Sequence, residues 1–213
     1  METEVHFISS GHRLVGRLYE GDSRAVVITH PHSLYGGNLH SPVVETIANC
    51  FRKFGYTTLR FNFRGVGGSQ GRYDEGRGEQ EDVRQAIAFL QAKGFEAIEL
   101  SGYSFGTWVN AHVAANHPTC LRLTMVSPPT AFMDFRKIQF LPGLTLAITG
   151  SRDDIAPPDM LRRIVPIWSP AANLEVVSGA DHFFADHLEA LSEMLQKGLA
   201  PIPAKGAASG FRP

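Results

Sequence analysis

Ala97-Ile98-Glu99-Leu100-Ser101-Gly102-Tyr103-Ser104-Phe105-Gly106 is the stretch on which the fold turns. Ala97 to Leu100 reads as a buried strand. Ser101-Gly102 breaks it, and an apolar helix follows from Phe105 to about His117. A residue at the apex of so sharp a strand-to-helix turn sits in strained backbone with the helix packed close behind it. Gly102 and Gly106, two residues to either side of Ser104, supply the room. The pattern G-x-S-x-G alone is weak in a chain with 21 glycines. A strand before it and a helix after it are the context it requires.

The same alternation extends in both directions. Upstream, Val5 to Ile8 and Leu14 to Tyr19 flank Ser9-Ser10-Gly11 as a hairpin. Ala25 to Thr29 is a β-branched run suited to burial on both faces. Ser41-Pro42 offers a helix start, Val43, Ile47, Cys50, Phe51 and Phe54 keep helical spacing, and Gly55 ends the run. Thr57 to Phe61 is strand-like, Arg64 to Gly78 a Gly-rich loop, and Glu79 to Lys93 a helix. Downstream, Leu121 to Val126, Leu144 to Thr149 and Leu174 to Val177 read as strands. Asp159 to about Ile167 and Phe183 to Lys197 read as helices, with Gly198 as the last stop. The expected fold is α/β: an open, mostly parallel eight-stranded sheet with an N-terminal antiparallel hairpin and helices on both faces. Residues 1–197 are expected to form a single domain, and 198–213, rich in Ala, Gly and Pro, a disordered tail. Ligands of such sheets bind at the carboxyl ends of the strands.

Composition excludes several function classes. Lys and Arg number 20 against 21 Asp and Glu in 213 residues, which leaves no electrostatic footprint for nucleic acid or for an anionic membrane surface. No apolar run approaches a membrane span, so membrane insertion is not expected. Cys50 and Cys120 sit in no metal-ligand spacing and form no disulfide framework; Cys50 falls on the apolar stripe of its helix. The acidic start Met1-Glu2-Thr3-Glu4 lacks the apolar core of a signal peptide, so a cytoplasmic home and a small-molecule partner are expected, with a homodimer left open. Gly65-Val66-Gly67-Gly68-Ser69-Gln70 fails the dinucleotide pattern at Gln70, and no P-loop exists. His30, His32 and His40, or His182 and His187, make no tight three-ligand zinc set. No cofactor and no metal are therefore expected.

Three strand ends carry chemistry. Ser104 follows one strand, Asp153 and Asp154 follow Leu144–Thr149, and His182 follows Leu174–Val177. Serine, acid and histidine in that chain order suit a nucleophile, an orienting carboxylate and a general base. Asp134, beyond Leu121–Val126, is a further candidate for the acid. Leu34, Tyr35, Tyr103, Phe132 and Phe183 are expected to line the site, with Trp108, Phe135 and Phe184 as additional aromatic candidates.

On these residues, with His30-Pro31-His32, Gly36-Gly37, Asn62-Phe63-Arg64-Gly65-Val66-Gly67-Gly68-Ser69, Gly150-x-x-Asp153-x-x-Ala156-Pro157 and Gly179-Ala180-Asp181-His182-Phe183-Phe184, the chain resembles the α/β-hydrolases. Within them it looks like the small lidless serine hydrolases related to dienelactone hydrolase, over roughly Ala25 to Leu195. The resemblance implies catalytic roles for Ser104, Asp153 and His182, the family spacing from Gly150 and Pro157 favouring Asp153 over Asp154. It implies an oxyanion hole made by the backbone N–H groups of His32 and Phe105, since Pro31 has none to give. Dienelactone hydrolases proper use a cysteine nucleophile, so Ser104 points to carboxylic-ester hydrolysis rather than dienelactone chemistry. A thioesterase or peptidase shares the triad, and a catalytically inactive binding module is the alternative from another class. The 17 residues Ser127 to Gly143 are too few for a cap domain, though one short helix is expected around Phe132–Lys137. An open site implies preference for short acyl groups.

Overall fold

The computed structural model describes residues 1–116 and 122–200. Its strands are β1 (Thr3–Ser9), β2 (His12–Tyr19), β3 (Ala25–Thr29), β4 (Thr57–Phe61), β5 (Ile98–Tyr103), β6 (Leu123–Val126), β7 (Leu144–Gly150) and β8 (Asn173–Val177). Its α-helices are α1 (Pro42–Lys53), α2 (Arg77–Ala92), α3 (Phe105–Asn116), α4 (Pro158–Trp168) and α5 (Leu188–Leu199). Every residue of β3 and β4 is buried, which is why Ala25–Thr29 reads as a continuous run rather than an alternating one; β4 also buries Arg60. The strands form one sheet in the order β1-β2-β4-β3-β5-β6-β7-β8. β2 pairs antiparallel with β1 and β4, and all later pairings are parallel. Helices α2, α3 and α4 bury Val83, Leu90, Val109, Leu161 and Trp168 on one face. Helices α1 and α5 bury Ile47, Phe51, Leu191 and Leu195 on the other.

The order of strands positions the site. From β3 the chain crosses to β4 on one side, then returns over β3 to β5 on the other. The loops leaving β3 and β5 therefore diverge and open a crevice at their carboxyl ends. Among the described residues no helix is long and apolar enough to cross a membrane.

Several element boundaries differ from expectation. Helix α5 starts at Leu188, not Phe183, because Asp181 Oδ1 accepts both the Phe183 and Phe184 N–H groups at 3.0 Å and holds a turn there. Phe184, at φ 53, then turns inward and is fully buried. At its other end α5 passes through Gly198 to Leu199. Gly198 is there for closeness: a Cβ at this position would stand 2.5 Å from Leu146 Cδ2. No helix forms around Phe132–Lys137; Asp134 Oδ1 takes the Arg136 N–H at 2.9 Å and makes a turn. The expected strand start at Leu121 and the tail beyond residue 200 lie outside the described residues.

The Gly-rich loop between β4 and α2 is anchored by a buried ion pair. Asp82 on α2 is fully buried and accepts from the Arg64 backbone N–H at 3.0 Å and from Arg64 Nη2 at 2.7 Å. Replacing Asp82 with alanine strands a buried guanidinium, and the expected loss is about 3–5 kcal/mol of unfolding free energy. Urea unfolding of the two proteins side by side measures it. A difference below about 1 kcal/mol would show that the loop relaxes freely and that the pair is not an anchor.

Candidate active site

Ser104 stands between β5 and α3 with φ 52, a backbone conformation uncommon for any residue but glycine. The turn holds because its surroundings dictate it. Ser104 N–H donates to the Val126 carbonyl at 2.9 Å, tying the elbow to β6. Gly102 and Gly106 both press on Thr29 of β3, where a Cβ on either would stand 2.5 Å from Thr29 Oγ1. The Ser104 Oγ lies 2.9 Å from Nε2 of His182.

His182 sits on the Asp181 turn after β8, and its carbonyl accepts the Tyr103 hydroxyl at 2.9 Å. Its Nδ1 lies 3.0 Å from each oxygen of Asp153. A carboxylate only accepts, so Nδ1 carries the proton, and Nε2 is left with a lone pair facing the Ser104 hydroxyl. Asp153, after β7, is 2% exposed and densely held. Its Oδ1 accepts the N–H groups of Ile155 at 3.0 Å and Ala156 at 2.7 Å, and its Oδ2 accepts the Ser127 hydroxyl at 2.7 Å. Burial pushes this carboxyl up. The hydrogen bonds and charge of His182, then the bonds from Ser127 and Ala156, outweigh burial and leave it below the ordinary range.

The loop after β3 is built on His30, which is fully buried. Its Nε2 accepts the Phe63 N–H at 3.0 Å, so Nδ1 donates to the Pro31 carbonyl at 2.6 Å. Burial holds the His30 pKa down to about 4, so the ring stays neutral and the bonding pattern fixed. The His32 carbonyl accepts from the N–H groups of Tyr35 and Gly37 at 3.1 Å, closing the loop into a tight turn. The His32 ring lies 4.8 Å from that of Phe105 between centroids, with Tyr73 Oη 3.2 Å from its Nε2. Phe105 is the first residue of α3, where helix geometry provides no intrahelical acceptor for its N–H. His32 and Phe105 thus stand side by side at the crevice beside Ser104.

The remaining expected residues divide. Leu34, Tyr35 and Phe183 are exposed, and the Phe183 ring sits 5.6 Å from that of His182. Phe132 is exposed and lines a cleft of about 430 Å³ with Met133, Met160 and Ile164. Tyr103 does not line an opening. It is buried beneath His182, and its hydroxyl is used on the His182 carbonyl. Phe135 and Phe184 belong to the core, and half-buried Trp108 donates Nε1–H to the Asp134 carbonyl at 2.9 Å. Asp134 itself is on the surface, where Arg136 beside it holds its carboxyl well below the usual range. Asp154 is exposed; the carboxylate that meets His182 is that of Asp153. Among the described residues no three His, Cys, Asp or Glu side chains are placed to hold a metal ion.

Ser127 and Tyr73 were not legible as site residues. The only sequence signal for Ser127 is a hydroxyl at a strand end before Pro128-Pro129. Tyr73 lies in a polar loop with no periodicity to place it.

A family model described as alpha/beta hydrolase fold matches residues 30–144. An uncharacterized protein of Rickettsia prowazekii is 32% identical over 93% of this chain and 89% of its own length. Among solved structures, an alpha-beta serine hydrolase homologue from Coxiella burnetii superposes with a TM-score of 0.87 at 33% identity, covering 93% of this chain and 97% of its own. A serine hydrolase without lid from Xanthomonas campestris gives 0.85 at 29% identity, covering 92% and 93%.

Proposed function

The chain belongs to the alpha/beta hydrolase fold family, and from that premise we propose that it hydrolyses carboxylic esters of short acyl chains through an acyl-enzyme intermediate. The observation that carries this reading is the continuous relay Ser104 Oγ, His182 Nε2, His182 Nδ1 and Asp153, with 2.9 Å and 3.0 Å between partners. Ser104 attacks the ester carbonyl while His182 takes its proton. His182 then returns that proton to the departing alkoxide, and the acyl group is left on Ser104. Water, deprotonated by the same imidazole, attacks the acyl carbon, the bond to Ser104 Oγ breaks, and the proton passes from His182 to Oγ as the acid leaves. Asp153 fixes the tautomer and stabilises the imidazolium. The oxyanion meets the N–H groups of His32 and Phe105, each donor worth about 10²–10³ in rate by comparison with measured cases.

The short-chain preference rests on the open surroundings. Residues 127–143 contain no helix to fold over the site, and Leu34, Tyr35 and Phe183 are exposed, while Phe132 lines a separate cleft with Met133, Met160 and Ile164. A methylene that stays hydrated gains little, whereas a fully buried one gains about 0.8 kcal/mol, or roughly fourfold in kcat/KM. The test is a p-nitrophenyl ester series from acetate to dodecanoate below micelle-forming concentrations. A flat or falling trend beyond short chains is expected. A sustained several-fold rise with each added carbon, without a lipid surface, contradicts the open-site reading, and absence of hydrolysis on every ester contradicts the esterase reading.

A further inference from the structure

We propose that Ser127 is a positioning residue: its hydroxyl fixes the rotation of the Asp153 carboxylate so that His182 is held toward Ser104. The proposal rests on the serine-hydrolase reading above. Ser127 follows the last residue of β6, is fully buried, and adopts φ 49, a conformation that disfavours a side chain. Its N–H is tied to the Ile148 carbonyl at 2.7 Å. A strained, buried, polar residue stands where glycine fits the backbone better, and the hydroxyl is what glycine lacks.

Counting protons shows what that hydroxyl does. Asp153 Oδ1 is held by two backbone N–H groups, from Ile155 and Ala156. Oδ2 has two hydroxyls near it, Ser127 at 2.7 Å and Thr149 at 3.2 Å. Thr149 has one proton, and the Ala156 carbonyl at 2.7 Å is its nearer acceptor. Ser127 is therefore the side-chain O–H donor that pins Oδ2. With one oxygen pinned by β6 and the other by the loop after β7, the carboxylate cannot turn about its own axis. Both oxygens then face His182 Nδ1 equally, at 3.0 Å.

Removal of the donor leaves the Asp153 charge less dispersed and its plane held from the Oδ1 side alone, by the Ile155 and Ala156 N–H groups. The other titratable and polar groups facing this pair are Ser104 from the elbow, Tyr103 from β5, Thr149 from β7, and Asp181 on the His182 loop. None of them changes in the test. The test compares Ser127→Ala and Ser127→Gly with the full-length protein, reading kcat/KM against pH on p-nitrophenyl acetate and the imidazole Nδ1–H proton resonance of His182. Both variants are expected to lose about tenfold in kcat/KM, the scale of one hydrogen bond to a charged group. In both, the acid limb moves to higher pH and the Nδ1–H resonance moves downfield, because a less neutralised carboxylate holds the proton on its partner more strongly. A merely structural role predicts a different pattern, in which glycine relieves the φ strain and recovers what alanine loses. Recovery in Ser127→Gly, or an unmoved resonance in both variants, overturns the proposal. If the wild type shows no Ser104-dependent hydrolysis while the resonance still moves, the link from Ser127 to Asp153 and His182 stands and the esterase reading fails instead.

Discussion

Replacing Ser104 with alanine is expected to abolish turnover and to abolish labelling by a fluorophosphonate probe, while leaving the fold intact. Nucleophiles of this kind, where measured, cost about 10⁶ in kcat when removed, with a residue of catalysis left to binding and the oxyanion donors. The reason is geometric. The Ser104 Oγ is the atom placed at hydrogen-bond distance, 2.9 Å, from a histidine whose lone pair faces it. Alanine keeps the Cβ and loses only the hydroxyl, so the strain at φ 52 is unchanged and the melting temperature should shift by no more than a few degrees. Intact-mass measurement after labelling decides the matter. An adduct on the variant, or an adduct on a different serine in the wild type, would remove Ser104 from the role.

The second large effect belongs to Asp153. Asparagine at this position is expected to lower kcat by about 10⁴, because its amide nitrogen forces the wrong histidine tautomer. Asparagine is preferable to alanine here. Ile155 and Ala156 N–H groups and the Ser127 hydroxyl all end on this side chain, and alanine would leave them buried without partners. Alanine at Asp154 or Asp134 should change kcat by less than about twofold, since both are exposed and removing a surface charge is a small perturbation. Steady-state kinetics on the three variants, with thermal unfolding as the folding control, ranks them. A near-normal Asp153→Asn enzyme would mean that His182 is oriented by something else.

What could be read from the chain follows from how far each signal reaches. β3 was legible because burial on both faces leaves a continuous β-branched or apolar run, Ala25-Val26-Val27-Ile28-Thr29. Ser104, Asp153 and His182 were legible as strand-end residues because the parallel topology itself sends strand ends to one edge. Side-chain hydrogen bonds between distant loops leave no such trace. Phe183 and Phe184 resemble the apolar face of a helix start, yet the Asp181 carboxylate takes their N–H groups and turns Phe184 into the core. Tyr103 reads as an aromatic wall beside the nucleophile. Its hydroxyl instead reaches a carbonyl 79 residues away, a partner that no local pattern announces.

The parallel sheet also sets when the site can exist. Ser104 and His182 are 78 residues apart in sequence, and the loop bearing His32, the elbow and the loops bearing Asp153 and His182 leave β3, β5, β7 and β8 respectively. β7 and β8 join the rest of the sheet through β6, so the loops bearing Asp153 and His182 reach Ser104 only when β6 and β7 are paired. A partly assembled sheet therefore lacks the relay: a chain docked as far as β6 has Ser104 in place but neither His182 nor Asp153 beside it. Recovery of the proposed hydrolysis during refolding is expected to require docked β7 and β8, so fluorescence from Trp108 on α3 can return while the molecule is still chemically silent.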